Sequence, residues 1–278
     1  MAIEEAVHTA VEDGLSPNTW RLWQAAGPAV VLGTGLEAAK EVALEAAGAE
    51  GIAVLRRHSG GGAVLIGPGV INYSAFYRFI DLPGAETIRG AMSAALRPVV
   101  SLLAAWGLRV RETGLSDLAV ACAGETPALR TAAVAGETPA LRTAAVAGET
   151  PALRTAAVPA APAGTELRKI AGHAQARKKH SVLVHGTLLA NPDLERIARL
   201  LRYPSAAPEY RAGRDHRAFL TSLREQGAPD DLASFTAGLA RALDCVANTV
   251  ENPSLEEQRR AAKLLAEKYG TKEWNLRR

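Results

Sequence analysis

The chain has 278 residues, 48% of them hydrophobic and 22% charged, with a formal net charge of +3. That is enough for one large domain or two small ones in an ordinary globular protein, and it excludes a disordered or strongly charged chain. So mild a charge suits an anionic ligand or an acidic protein partner and argues against nucleic-acid binding. Cys122 and Cys245 make neither a disulfide framework nor a zinc spacing, so a reducing, cytoplasmic setting is expected. The opening "MAIEEAVHTAVEDG" carries acid where a secretory signal carries base, and no run approaches about 18 uninterrupted apolar residues, so no membrane span is expected.

In chain order, residues 3–13 read as a short amphipathic helix closed by Gly14. "TWRLWQ" (19–24) and "PAVVLGTG" (28–35) read as strands across the turn "AAGP". Residues 36–51 carry strong helix formers up to Gly48 and Gly51. "IAVLRR" (52–57) is a strand feeding a glycine run, and "VINYSAFYRFI" (70–80) alternates as a long strand. A helix is predicted over 84–106, kinked or restarted at Pro98. "LRVRET" and "SDLAVA" are strand-like, and 166–190 reads as two more strands. Helices at 191–201, 231–250 and 254–268 complete the chain. Paired strands with helices gathered between them indicate an α+β or mixed α/β layer architecture, without regular βαβ alternation.

One segment departs from this pattern. "AGETPALRTAAV" occurs at 123–134, 135–146 and 147–158 without a mismatch, followed by "PAAPAGT". Copies packed in a solenoid would meet different neighbours and diverge. The segment 123–164 is therefore expected to be a loop insertion, mobile or with a few transient helical turns, which loop-closure entropy tolerates at a cost of about 1–2 kcal/mol.

Several short stretches could carry chemistry. "RRHSGGGAV" (56–64) offers bare backbone beside two cations, suited to a phosphate or carboxylate. It matches neither the dinucleotide glycine pattern nor a P-loop. "RKIAGHAQARKK" (168–179) sets Lys169 on a strand beside small residues, so its ammonium can reach over a ligand on the sheet. "VHGTLLA" interrupts an apolar run with His185, Gly186 and Thr187, and Asp117 in "GLSDLAV" is a carboxylate at a strand edge. Each alone has an ordinary structural explanation: a tight turn, an exposed lysine, a satisfied core histidine, a cap.

In order, "RRHSGGGAV" (56–64), "NYS" (72–74), "SDLAV" (116–120), "RKIAGHAQ" (168–175) and "HGTLLA" (185–190) resemble the lipoate–protein ligase family, with its biotin ligase and octanoyltransferase relatives. "MAIEEA" resembles that family's N-terminal helix opening, and the likeness spans nearly all the chain outside 123–164. The resemblance implies a biotin/lipoate ligase-like catalytic domain over 1–252, built on a mixed sheet with the repeats inserted in a hairpin, and a short helical tail over 253–278. It implies activation of lipoate or octanoate with ATP and Mg²⁺ to an acyl-adenylate. The acyl group then passes to a lysine on a lipoyl domain of an oxoacid dehydrogenase complex or on the glycine cleavage H protein.

By that analogy Lys169 is catalytic, stabilising charge that develops on the acyl carbonyl and phosphate. Arg57, Ser59, Gly60, Gly61, Gly62 and Ala63 wrap the adenylate. Asn72, Gly172, His185, Gly186 and Thr187 complete the substrate site, and Asp117 holds magnesium or orients Lys169.

The chain also departs from the family. Ile66 stands where many members have histidine, an edge strand before the first helix is expected to be missing, and so is the larger accessory domain of some ligases. "EKYGTKEWNLRR" instead resembles the short tail of the transferases. Those enzymes move octanoyl from acyl carrier protein through a cysteine thioester. Cys122 follows "SDLAVA", whereas the transferase cysteine precedes that strand, so Cys122 is expected to be an inert thiol and Cys245 a core residue. A third reading is a non-catalytic protein that binds acylated carrier domains, against which the retention of Lys169 and the glycine loop weighs.

Overall fold

A computed structural model describes residues 1–122, 166–243 and 252–277. The repeats with their expected mobility, Cys245 and the end of the helix expected over 231–250 lie outside the described residues.

The apolar spacing of "AIEEAVHTAVE" forms α1 (Ala2–Glu12), followed by β1 (Thr19–Trp23) and β2 (Ala29–Leu32). Residues 36–51 do not form one helix. Val42 turns out of the helical path and bridges Leu201, splitting the segment into α2 (Ala38–Glu41) and α3 (Leu44–Ala49). Complete burial of Val42 outweighs the helix propensity of its neighbours.

Next come β3 (Ala53–Arg56), β4 (Val64–Ile66), a short strand absent from the expected elements, and β5 (Val70–Arg78). In α4 (Ile88–Ala105) the Thr87 hydroxyl accepts from the Gly90 N–H as cap, and the helix continues through Pro98. Proline inside a helix costs about 3 kcal/mol, but Ala95, Leu96, Val99 and Leu102 are buried on both sides of it and hold the helix together. By length and composition α4 could cross a bilayer, yet its apolar stripe packs on the sheet, as the core helix of a domain does.

β6 (Val110–Thr113), β7 (Asp117–Cys122), β8 (Glu166–Arg177) and β9 (Ser181–Leu189) follow. The helices α5 (Leu194–Leu200), α6 (His216–Phe219), α7 (Leu232–Ala242), α8 (Leu255–Leu264) and α9 (Lys272–Asn275) come last.

The strands form two sheets. The larger is antiparallel, in the order β1-β5-β9-β8-β7-β6; the smaller is mixed, in the order β3-β2-β4. β7 and β8 are neighbours with Cys122 opposite Glu166, so residues 123–165 connect adjacent strands. One face of the large sheet, with Ile71, Tyr73, Val184 and Leu188, buries the main core against α4 and α7. The other face carries α1 over Phe76 and Leu183, and beyond it the small sheet with α3 and α5. Asn72 and His185, both expected to be functional, lie buried on this second face together with Ser74. They break the apolar alternation where the two sheets meet.

The C-terminal segment packs against the small sheet through Arg56. Arg56, fully buried, donates from Nη1 to the Leu36 carbonyl (2.6 Å), from Nε to Trp274 O (3.1 Å) and from Nη2 to Arg277 O (2.8 Å). Its backbone N–H donates to Asn275 Oδ1 at 2.9 Å, and Trp274 Nε1 donates to Arg56 O at 2.9 Å. A buried guanidinium needs this many acceptors, and the tail supplies them.

Between α5 and α6 a strap of irregular chain crosses the β7–β8 end of the sheet. It turns at Ala212, whose φ of 50° is left-handed. Cβ strain there costs about 1 kcal/mol or more. Ala212→Gly is expected to raise the unfolding free energy by about 0.5–1 kcal/mol, read as a higher urea midpoint at unchanged slope. A lower midpoint would show that the strap does not hold this turn.

Candidate active site

Lys169 reaches the site because β8 is irregular. Leu118 pairs with Ala171 but Ala119 pairs with Lys169, leaving Ile170 as an extra residue. Ile170 and Ala171 both point into the main core, and the bulge puts Lys169 on the same face as Gly172. Its ammonium lies 2.7 Å from Asp117 Oδ1. The other Asp117 oxygen accepts from the Tyr210 hydroxyl at 2.9 Å. Each carboxylate oxygen thus has a partner, an arrangement suited to orienting Lys169. Among the described residues no group of three acidic, histidine or cysteine side chains is placed to hold a metal.

The glycine loop lies over β8: a Cβ built on Gly61 would stand 3.6 Å from the Ala174 Cβ and 3.9 Å from the His173 carbonyl. Gly61 has a φ of 85°, and a Cβ on Gly33 would fall 2.0 Å from the Gly61 carbonyl oxygen, so side chains are excluded where the two turns touch.

Arg57 lies beneath this loop. Its Nη2 donates to the carbonyls of Gly60 and Gly62 (2.5 and 2.9 Å), and its Nε donates to Ser59 Oγ at 3.0 Å. Burial pulls the guanidinium down to about 10, still fully charged at neutral pH, and Glu4 opposes that fall. Arg57 thus shapes the loop, and it also lies in the cavity wall. With the carbonyls of Gly60 and Gly62 turned to Arg57, the N–H groups of Gly60, Gly61 and Gly62 donate to nothing among the described residues. The loop presents bare donors, as an anion-binding nest does.

A buried chain of hydrogen bonds joins α1 to the loop. Ser59 Oγ lies 2.6 Å from His185 Nε2, and His185 Nδ1 lies 3.3 Å from Glu4 Oε2. Because Arg57 donates to Ser59, the serine proton is available to His185 Nε2, and Nδ1–H then donates to Glu4. Ser74 donates to the second Glu4 oxygen. Burial would raise the Glu4 carboxyl, but His185 and Ser74 outweigh it and hold it well below the usual carboxylate range. The order Ser–His–Glu is that of a nucleophilic triad, yet Ser59 is 1% exposed and is not part of the cavity wall. Here it braces the loop.

His173, inside "RKIAGHAQ", points to the opposite face of the sheet. Its Nδ1–H donates to the Ser116 carbonyl at 2.7 Å, while Nε2 accepts from the Tyr73 hydroxyl. Burial lowers its pKa to about 4, so it is neutral. It steadies the β6–β7 turn just before Asp117.

These elements surround a cavity of about 790 Å³, within the range of about 300–1,000 Å³ typical of small-molecule sites. Arg57, Gly61, Gly62, Ala63, Asn72, Asp117, Lys169, Gly172, His185, Gly186 and Thr187 line it; Ser59 and Gly60 do not. Trp23, Val31, Leu65, Leu189 and Leu220 give it apolar walls, and Ile66 takes the place of the polar residue expected from the family. Motif reading did not single out Glu4, His173 or Tyr210. Glu4 and His173 sat inside quoted stretches, whereas Tyr210 has no motif around it.

A mixed α/β domain with an amine held on a carboxylate, a loop of bare donors and apolar walls defines a site for an anionic ligand with an apolar part. The profile of the lipoyl protein ligase A/B catalytic domain matches residues 1–244, and the chain belongs to that family. It is similar to the octanoyltransferase LipM of Symbiobacterium thermophilum, 32% identical with 100% of this chain and 93% of that protein covered. It also resembles the lipoate-protein ligase A subunit 1 of Thermoplasma acidophilum, at 24% identity over 99% of this chain and 90% of that one.

Among solved structures, the bipartite lipoate protein ligase of T. acidophilum, described with its E2 lipoyl domain, superposes with a TM-score of 0.69 at 20% identity. That match covers 99% of this chain and 91% of the other. A lipoate-protein ligase A bound with ATP superposes with a TM-score of 0.67 at 22% identity, covering 99% and 92%.

Proposed function

We propose that this protein transfers lipoyl or octanoyl groups to a lysine of a lipoyl carrier domain, and that it does so as an ATP-dependent ligase through an acyl-adenylate. Membership of the family supports the acyl transfer. The observation that carries the ligase reading is the make-up of the cavity wall around Lys169, which contains no cysteine among the described residues. Cys122 stands at the far end of β7 from Asp117, opposite Glu166. At about 3.4 Å per residue, its backbone is about 10 Å along the strand from Ala119, the residue paired with Lys169.

In this reading Mg·ATP is a substrate. The free N–H groups of Gly61 and Gly62 meet the phosphate, and Lys169 stabilises charge on the carbonyl and phosphate oxygens in both half-reactions. The apolar walls take the hydrocarbon chain. Lipoyl domains of oxoacid dehydrogenases and the glycine cleavage H protein are the proposed acceptors. The rival, octanoyl transfer from acyl carrier protein, draws on the names of several relatives.

The test mixes the protein with an apo lipoyl domain and either lipoate with Mg·ATP or octanoyl-acyl carrier protein without ATP, with product read by mass. Product in the first tube is expected, and Cys122→Ser is expected to leave its rate unchanged. Product in the second tube alone, abolished by Cys122→Ser, would establish the transferase instead.

A further inference from the structure

Lys169 is carried on a long side chain, and a carboxylate gripped by one flexible amine can turn in several ways. A fixed pair needs a second, rigid contact on the carboxylate. The strap between α5 and α6 supplies one. The Tyr210 ring packs on Phe219 with centroids 5.1 Å apart. Arg214 Nη2 donates to both the Tyr210 carbonyl (2.8 Å) and the Leu167 carbonyl (3.0 Å), tying the strap to the start of β8. Arg211 is sandwiched between Tyr203 and Phe219, 4.6 and 4.8 Å from their ring centroids. Just beyond, the Thr221 N–H donates to the Lys169 carbonyl at 2.9 Å. The segment after α6 therefore fixes the backbone of Lys169, and the strap, through Tyr210, fixes the side chain of its partner.

We propose that Tyr210 is a positioning residue for the transfer reaction: its hydroxyl fixes the plane of Asp117 so that the other carboxylate oxygen holds the Lys169 ammonium over Gly172. Burial pushes the phenol well above its ordinary range, so it stays a hydrogen-bond donor at every working pH. The inference rests on the acyl-transfer reading above, and it acts on the same lysine from outside the recognisable motifs.

The test is a double-mutant cycle on the full chain with Tyr210→Phe and Asp117→Asn. Phenylalanine keeps the ring against Phe219 and removes only the hydroxyl. Tyr210→Phe is expected to lower kcat about tenfold with KM for the acid unchanged, and to have no further effect in the Asp117→Asn background, because coupled residues are non-additive. Effects that multiply, a change in KM alone, or a wild-type kcat would each overturn the proposal. A second readout needs no turnover: labelling of Lys169 by an amine reagent, followed by peptide mass, is expected to rise several-fold in Tyr210→Phe and in Asp117→Asn alike. A rise in labelling in a protein that acylates nothing would sink the functional reading and leave the positioning role standing. Unchanged labelling in Tyr210→Phe would sink the positioning role whatever the enzyme does.

Discussion

Lys169→Ala is expected to remove acyl transfer, by about 10³-fold or more, while the protein remains folded. The size of the loss follows from the role. A preorganised donor aimed at developing negative charge contributes about 10²–10³ in rate, and Lys169 brings a full positive charge into a cavity with apolar walls. Survival of the fold follows from how the residue is held. Its backbone is fixed by the β7–β8 ladder and by Thr221, independently of the side chain. Removing the amine leaves Asp117 with the Tyr210 hydroxyl still bound, at the edge of an open cavity where water can replace the ammonium. The stability change is then about 1 kcal/mol, the size of one hydrogen bond. Mass-spectrometric acylation of an apo lipoyl domain and a thermal melt check the two halves. Activity in Lys169→Ala near that of the wild type would remove the catalytic role assigned to this residue.

How much of this was legible in the sequence depends on the range of the interaction that fixes each element. α1, the long strands β5, β8 and β9, and the glycine loop are written in local periodicity and turn chemistry, and they lie where the spacing places them. The elements that escaped are set by distant partners. Residues 36–51 carry a helix signal, but the bridge from Val42 to Leu201 breaks it. β4 is only Val64–Ile66, too short to show alternation, and exists because β2 pairs with it. Pro98 reads as a break until the buried residues on both sides are known. The tail from 253 reads only as a short helical segment, because nothing local announces that Arg56 needs its carbonyl oxygens.

The site divides in the same way. Ordered motifs brought Lys169, Asp117, the glycines and His185 to one cavity. The bulge at Ile170 has no sequence signature, however, and without it strict alternation would turn Lys169 away from Gly172. Nor does a motif say which way Arg57 points. Its guanidinium is turned to the loop's own carbonyls while the residue also forms part of the cavity wall.

Gly172→Ala offers the sharpest separation of site from fold. A Cβ at Gly172 would lie 2.6 Å from Lys169 Nζ and 2.7 Å from its Cε, with Asp117 Oδ1 next at 3.6 Å. No backbone atom is among these contacts, so the methyl group displaces the end of a flexible side chain and the sheet need not move. Alanine also loses less backbone entropy than glycine in a strand, by about 0.5–1 kcal/mol. The expected result is a melting temperature unchanged or slightly raised, with acyl transfer reduced almost as far as in Lys169→Ala. Gly33→Ala supplies the contrast. Its Cβ would meet a backbone carbonyl, that of Gly61, at 2.0 Å. The glycine loop itself must then shift, and stability should fall together with activity. A Gly172→Ala protein with wild-type turnover would mean that the ammonium works from somewhere other than the surface of residue 172. One that unfolds would mean that the close approach belongs to the packing of the sheet and not to the chemistry.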